Sequence, residues 1–313
     1  MENQLVLIAG SAHPELAKKI GAYIAVPLAG MDVFKFANGD SFVKIKDNIR
    51  KRDVFVIQST CRPVNDSLME LLIIMDACKR ASANSITAVV PYYGYARSDK
   101  KDQPRVPITA KLVADLMTTA GADRIICMDL HAEAIQGFFN IPVDHLYAMP
   151  AFISYLRELK LRDLVIVSPD AGGLARARGH ATRLGADLAI VDKRRVGNQD
   201  QARMYHVIGE VKGKSCVIID DIIDTAGTIT EAVDILLERG ANEVRVMATH
   251  AVLSDPAGER LKKSSAKEVV VTDTVPIPPE KMIDKIKVIS IAPLLGETIK
   301  RIYRGDSVSS LFV

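Results

Sequence analysis

Residues 217–228, VIIDDIIDTAGT, run from an apolar strand into an acidic pair and then into a turn of small residues that opens a helix. Such a turn aims successive backbone N–H groups at one point, and the positive end of the helix dipole lies behind them. Asp224, Thr225, Ala226, Gly227 and Thr228 can therefore wrap an anion, with two hydroxyls added by the threonines. A phosphate monoester fits that cup. Asp220 and Asp221, just upstream, would repel phosphate but can accept hydrogen bonds from the hydroxyls of a neighbouring sugar. Together the two parts describe a phosphorylated sugar. An acidic helix cap with no ligand would account for Asp224 and Thr228, but not for two further carboxylates at the end of an apolar strand.

The elements that must position these groups show as short β-rich runs alternating with longer segments of helical period. The runs are 5–9, 54–58, 86–90, 125–128, 164–167, 217–219 and 244–247. That alternation predicts an α/β protein with parallel sheets and crossover helices. Leu68, Leu71, Leu72, Met75 and Cys78 make one helical apolar face. Ile229, Val233, Leu236 and Leu237 make another, which stops at Gly240. Ser67 with Glu70, and Thr228 with Glu231, have capping-box spacing. A break is expected within 141–150, IPVDHLYAMP, where two prolines separate patterned segments and nearly halve the chain. Residues 92–107 and 193–205 are the longest stretches without an apolar period, and long loops on a compact scaffold are often functional.

The chain has 313 residues, 48% of them hydrophobic, enough for two α/β domains with a core each. Lys and Arg number 41 against 38 Asp and Glu, so no whole-molecule field points to nucleic acid or an anionic membrane. Any anion site must be local. Cys61, Cys78, Cys127 and Cys216 form no CxxC pair and are expected to be buried thiols in a reducing compartment. The opening run 5–9 is too short for a signal segment, and no run reaches the ~18 apolar residues of a membrane span, so a cytoplasmic protein is expected.

VIIDDIIDTAGT resembles the phosphoribosyl-binding loop shared by phosphoribosyltransferases and phosphoribosyl diphosphate synthetases. Residues 128–144, MDLHAEAIQGFFNIPVD, resemble a signature of the synthetases that the transferases lack. The likeness continues through FANGD at 36–40, IQSTCRPVND at 57–66, PYYGYARSDKKDQPR at 91–105, SPDAGG at 168–173 and KRR at 193–195, and so covers essentially the whole chain. It implies two tandem phosphoribosyltransferase-like domains, each a mostly parallel sheet flanked by helices. Their implied bounds are 1–145 and 146–290, with the tail 291–313 rejoining the first.

The implied activity is that of a ribose-phosphate diphosphokinase. The β,γ-diphosphate of Mg·ATP passes to O1 of ribose 5-phosphate, AMP leaves, and the product feeds nucleotide, histidine, tryptophan and NAD biosynthesis. The resemblance assigns catalysis to Lys193 and Arg195, on a flexible loop that closes over the reacting phosphates. ATP falls to Phe36, Asn38, Gly39 and Asp40 of one loop and Arg97, Ser98 and Asp99 of another. Ribose 5-phosphate falls to Asp220, Asp221, Asp224, Thr225, Ala226, Gly227 and Thr228, with Arg195. His131 and Asp170 are the implied Mg²⁺ ligands, although a lone histidine read without the family is better taken as a loop residue. Likewise KRRVGNQDQAR, read alone, is a solvated charged loop.

The family also implies a homohexamer built from dimers, with the 36–40 loop serving a neighbouring subunit. Inorganic phosphate is an implied activator, bound near Arg50, Arg105, Ser307, Ser309, Ser310 and Phe312. Three positions depart from the family pattern. Ser98 and Ala134 stand where glutamine is common, and Asn38 where aspartate is. Two rivals are a phosphoribosyltransferase, which would not form AMP, and a non-catalytic paralogue, which would lack the loop cations or carry an insertion; neither change is seen.

Overall fold

The computed structural model describes the backbone of residues 5–195 and 203–312, and the side chains of these except 193–195 and 203–205. The chain forms two compact units. The first comprises Met1–Tyr147, Thr274–Pro276 and Ser290–Val313, and the second Ala148–Asp273 and Ile277–Ile289.

In the first unit the elements run β1 (Leu5–Ala9), α1 (Pro14–Ile24), β2 (Met31–Lys35), β3 (Ser41–Ile45), β4 (Asp53–Ile57), α2 (Val64–Arg80), β5 (Ser85–Val90), α3 (Thr109–Ala120), β6 (Arg124–Met128) and β7 (Val143–Leu146). The main sheet has the order β1-β4-β5-β6-β7 and is parallel throughout. Its strands are near-continuous apolar runs, DVFVI and SITAVV among them, as strands covered on both faces require. Leu71, Ile74, Met75 and Cys78 of α2 are fully buried in its core. β2 and β3 pair antiparallel as a separate two-stranded sheet.

The second unit runs α4 (Met149–Leu159), β8 (Leu164–Ser168), α5 (Leu174–Leu184), β9 (Asp187–Arg195), β10 (Arg203–Ile208), β11 (Ser215–Ile223), α6 (Gly227–Glu238), β12 (Glu243–Ala251), α7 (Ala257–Lys263), β13 (Glu268–Thr272) and β14 (Ile286–Ile289). Its sheet order is β10-β9-β8-β11-β12-β13-β14, parallel except where β10 turns back on β9. From β8 the chain crosses to β9 on one side, whereas from β11 it crosses to β12 on the other. The gap between the carboxyl ends of β8 and β11 is thus a topological switch point, where open α/β sheets bind ligands. The five strands of the first unit's main sheet advance in one direction and offer none.

The last helix, α8 (Ala292–Arg304), belongs to the first unit and packs on α1. A Cβ at Gly296 would lie 2.6 Å from Cδ1 of Tyr23, so the two helices approach closely only because that side chain is absent. Among the described residues no helix is long and apolar enough to cross a membrane. All four cysteines are free and buried, and burial pushes the Cys61 and Cys216 thiols up to about 11, away from thiolate chemistry.

Neither capping box forms. The helix α2 begins at Val64 behind Pro63, so Ser67 is already inside it and its Oγ donates to the carbonyls of Cys61 (2.6 Å) and Val64 (3.1 Å). Glu70 turns inward instead. Its carboxylate accepts from Ser11 N (2.6 Å), Ser11 Oγ (2.5 Å) and Gln58 Nε2 (3.1 Å), tying the ends of β1 and β4 to α2. Glu70 is 7% exposed and Gln58 1%. Glu70→Leu would strand buried donors and is expected to destabilise the first unit by about 3 kcal/mol, read as a lower urea midpoint. In α6 the cap is Ala226, which has no side-chain hydrogen bond to give, and Thr228 is the second helical residue.

Residues 193–205 are also not loop throughout. β9 and β10 stay paired as far as Arg195 and Arg203, with Lys193 opposite Tyr205.

Candidate functional site

β11 is the central strand of the second unit. Its residues Cys216, Val217, Ile218 and Ile219 are apolar and buried, while it pairs with β8 only from Ser215 to Ile218. It then runs on past the end of β8, carrying Asp220 and Asp221 to the crevice at the switch point. Asp221 keeps 6% of its side chain exposed. Its N–H donates to Asp220 Oδ1 at 2.8 Å. Arg176, in the first turn of α5, places Nη1 3.2 Å from Asp221 Oδ1 and 3.7 Å from Asp220 Oδ1. Burial, followed by the hydrogen bond and charge of Asp221, raises the Asp220 carboxyl well above the usual carboxylate range, against the pull of Arg176.

That direction fixes a pH dependence. A carboxyl whose folded pKa is raised binds more protons folded than unfolded, so stability falls as pH rises from the ordinary carboxylate range through the raised value. Asp220→Asn is expected to flatten that decline, which thermal melts across pH would show. A slope unchanged by the substitution would mean that Asp220 does not cause it.

Beyond Asp221 the strand ends at Ile223, whose carbonyl accepts from Leu253 N at 3.0 Å, anchoring the turn to the segment after β12. Asp224, Thr225 and Ala226 make the turn, and α6 starts at Gly227. Ala226 has φ +62° and ψ +8°, in the left-handed region, and is 4% exposed. An alanine cap provides no oxygen for the first helical amides, which have no intrahelical acceptor of their own. Thr225 and Thr228 are exposed beside it, and Asp224 and Gly227 are half-buried. Thr230 Oγ1 donates to the carbonyls of Ala226 (2.9 Å) and Gly227 (3.1 Å), fastening the turn from the helix side.

The neighbouring turn after β8 is built similarly. Ser168 Oγ donates to the carbonyl of Asp170 at 2.7 Å, and Asp170 Oδ1 accepts from Gly173 N at 2.9 Å, immediately before α5. Asp170 itself is exposed. Lys193 and Arg195 have their backbones in β9, but their side chains and residues 196–202 lie outside the described residues.

In the first unit His131 is exposed just beyond β6. Its segment is fixed by His145, a residue that sequence reasoning did not single out: His145 Nε2 accepts from Leu130 N at 2.9 Å, and Nδ1 lies 3.2 Å from Gln136 Nε2. Ala134 is exposed in the 3₁₀ turn Glu133–Phe138. Among the described residues no group of three or more His, Cys, Asp or Glu could hold a metal. Mg²⁺ needs few protein ligands because it keeps waters and phosphate oxygens, so an exposed imidazole and an exposed carboxylate suit it as chemistry.

Phe36, Asn38, Gly39 and Asp40 form the tip between β2 and β3. Gly39 N donates to the Phe36 carbonyl (2.8 Å), and Asn38 Nδ2 to Asp40 Oδ2 (2.7 Å). Gly39 takes φ +93°, and the exposed ring of Phe36 meets those of Phe34 and Phe42 edge-on at 5.2 and 5.6 Å. Arg97, Ser98 and Asp99 lie on the turn-rich segment before α3. Ser98 Oγ lies 3.2 Å from Thr109 Oγ1 and accepts from Thr109 N at 3.3 Å, so this side chain holds the start of α3.

Arg50 and Arg105 are exposed on separate turns. The hydroxyls of Ser307 and Ser309 are 2.9 Å apart, and Arg301 holds their segment through the Ser307 carbonyl (2.8 Å) and Ser310 Oγ. Phe312 stacks edge-on to Tyr147 at 5.8 Å. A cavity of about 470 Å³ at the amino ends of β12 to β14 is lined by Arg245, Lys267 and Glu268, far along the sheet from the switch point. Arg245 pairs with Glu243 and Glu268, Lys267 pairs with Glu243, and Tyr155 donates to Glu268.

Two α/β units in tandem, the second with a helix-opening turn and an acidic pair, half-buried Asp220 and buried Asp221, at its switch point, define a two-domain phosphoribosyltransferase-like protein. The family model described as the N-terminal domain of ribose phosphate pyrophosphokinase matches residues 5–121, and that of the phosphoribosyl synthetase-associated domain matches 195–313. A ribose-phosphate pyrophosphokinase of Caldanaerobacter subterraneus subsp. tengcongensis is 55% identical over 99% of this chain and 98% of its own. That of Fusobacterium nucleatum is 50% identical over the same shares. The crystal structure of phosphoribosylpyrophosphate synthetase from Mycobacterium smegmatis superposes with a TM-score of 0.92 at 47% identity, covering 97% of this chain and all of that one. The chain belongs to the ribose-phosphate pyrophosphokinase family.

Proposed function

We propose that this chain makes 5-phospho-α-D-ribose 1-diphosphate by moving the β,γ-diphosphate of ATP onto O1 of ribose 5-phosphate, with release of AMP. The observation that carries this most is the alanine-capped turn 224–228 at the switch point, with Asp220 and Asp221 beside it. In this account the amides of 225–228 hold the 5-phosphate and the acidic pair accepts from the sugar hydroxyls. Arg176 keeps the two carboxylates together until the sugar arrives. O1 then attacks the β-phosphorus in line, the bond to the AMP oxygen breaks, and the hydroxyl proton passes to solvent.

Lys193 and Arg195 neutralise the charge that develops, which is most of what phosphoryl transfer asks of a protein. Magnesium, when bound with ATP, screens the phosphate charges and orients them; His131 and Asp170 are its proposed protein ligands. Phe36, Asn38, Gly39, Asp40, Arg97, Ser98 and Asp99 are proposed to receive the nucleotide. Assembly into hexamers, activation by inorganic phosphate near Arg50, Arg105 and residues 307–312, and a cytoplasmic location complete the proposal.

The test is to mix the purified chain with Mg·ATP and ribose 5-phosphate and to quantify AMP and phosphoribosyl diphosphate, omitting the sugar as a control. Equal amounts of both products, dependent on the sugar, are expected. Absence of AMP would end the proposal, and consumption of phosphoribosyl diphosphate with release of diphosphate would favour a transferase.

A further inference from the structure

The turn 224–228 is shaped by a residue outside its own strand–turn–helix motif. Arg260, on α7, donates from Nη1 to the carbonyl of Thr225 at 3.0 Å, across 35 positions of sequence. That carbonyl shares a peptide group with the N–H of Ala226, and in a trans peptide the two point in opposite directions. A guanidinium that holds the oxygen on one side therefore sets the amide on the other. The peptide leads into the left-handed Ala226, a conformation that alanine abandons unless its surroundings hold it. Gly227 supplies a separate observation. A Cβ there would come 3.3 Å from Arg260 Nη1 and 3.9 Å from Cζ, and Gly227 does not have the positive φ that would otherwise call for glycine. The missing side chain makes room for the guanidinium.

We infer that Arg260 is a positioning residue for ribose 5-phosphate: it fixes the Thr225–Ala226 peptide so that its amide faces the phosphate, without touching the reacting atoms. This rests on the reading of 224–228 as the phosphate seat. Arg260→Met keeps the aliphatic stem and removes every donor. It is expected to raise the KM for ribose 5-phosphate about 10-fold, with kcat and the KM for ATP within about twofold of the parent. Arg260→Lys, which still carries a donor, should recover part of that loss. Hydrogen–deuterium exchange across residues 223–230 in the ligand-free enzyme should be faster in Arg260→Met, since the peptide is released before any substrate binds.

An unchanged KM for ribose 5-phosphate would overturn the inference. So would a raised KM with unchanged ligand-free exchange, the result expected if the charge of Arg260 simply met the phosphate. Asp224→Ala, measured in parallel, separates this from failure of the seat itself. If Asp224→Ala weakens the sugar and Arg260→Met does not, the positioning role falls and the seat stands. If neither does, the seat has been misassigned and the inference falls with it.

Discussion

Lys193→Ala is expected to lower turnover at least ~10²-fold, the scale for one preorganised transition-state donor, while leaving ribose 5-phosphate binding nearly intact. The reason lies in where charge changes. The sugar's phosphate carries the same charge before and during transfer, whereas charge on the β-phosphoryl oxygens shifts as the bond to AMP lengthens. A cation meeting the second and not the first acts on kcat. The backbone of Lys193 belongs to β9 and faces Tyr205 of β10, so the lysine is anchored in the sheet while the chain continues beyond Arg195. Steady-state AMP release at saturating substrates, with calorimetric titration of ribose 5-phosphate, makes the comparison. Parental turnover in Lys193→Ala would remove the assigned role.

The second large effect is expected at Ala226. Its φ of +62° is costly for any residue with a Cβ and more so for a β-branched one, and at 4% exposure the added methyls would have to enter a buried site. Ala226→Val should therefore rebuild the turn and raise the KM for ribose 5-phosphate at least ~30-fold. Ala226→Gly, which takes a positive φ freely, should stay within about threefold of the parent. The ordering of the two KM values is the readout. A valine variant that binds the sugar as well as the glycine variant would show that this backbone conformation does not seat the phosphate.

The sheet's core strands were legible because parallel strands covered on both faces are written as unbroken apolar runs; 5–9, 86–90 and 164–167 fall within or coincide with β1, β5 and β8. β2 and β3 were not, since Phe34 and Phe36 on that hairpin are exposed and the face carrying Met31, Val43 and Ile45 is only partly buried against the core, so the apolar alternation is blurred. β13, EVVVT, is nearly as buried as β12, yet five residues so soon after the polar segment of α7 hardly register as an element. The lysine and arginines ending β9 read as loop because charge hides a strand whose partner, β10, turns back on it. Both capping boxes failed for one reason: the spacing of Ser67 and Glu70, or of Thr228 and Glu231, does not say where a helix begins. Pro63 and Ala226 decide that.

The anion turn could be read because its chemistry is contiguous, each backbone amide next to the last. The residues that hold this turn, its acidic neighbours and the segment of His131 in shape could not. Arg176, Arg260 and His145 act on groups 15 to 45 positions away, reached only once the sheets have formed. A single sequence carries no sign of such contacts beyond the presence of a capable side chain.

A solved complex with ribose 5-phosphate tests the central claim most directly. The 5-phosphate oxygens should lie within hydrogen-bonding distance of the backbone amides of residues 225–228, with the sugar hydroxyls turned to Asp220 and Asp221. A phosphate bound elsewhere, with that bend empty, would contradict the account.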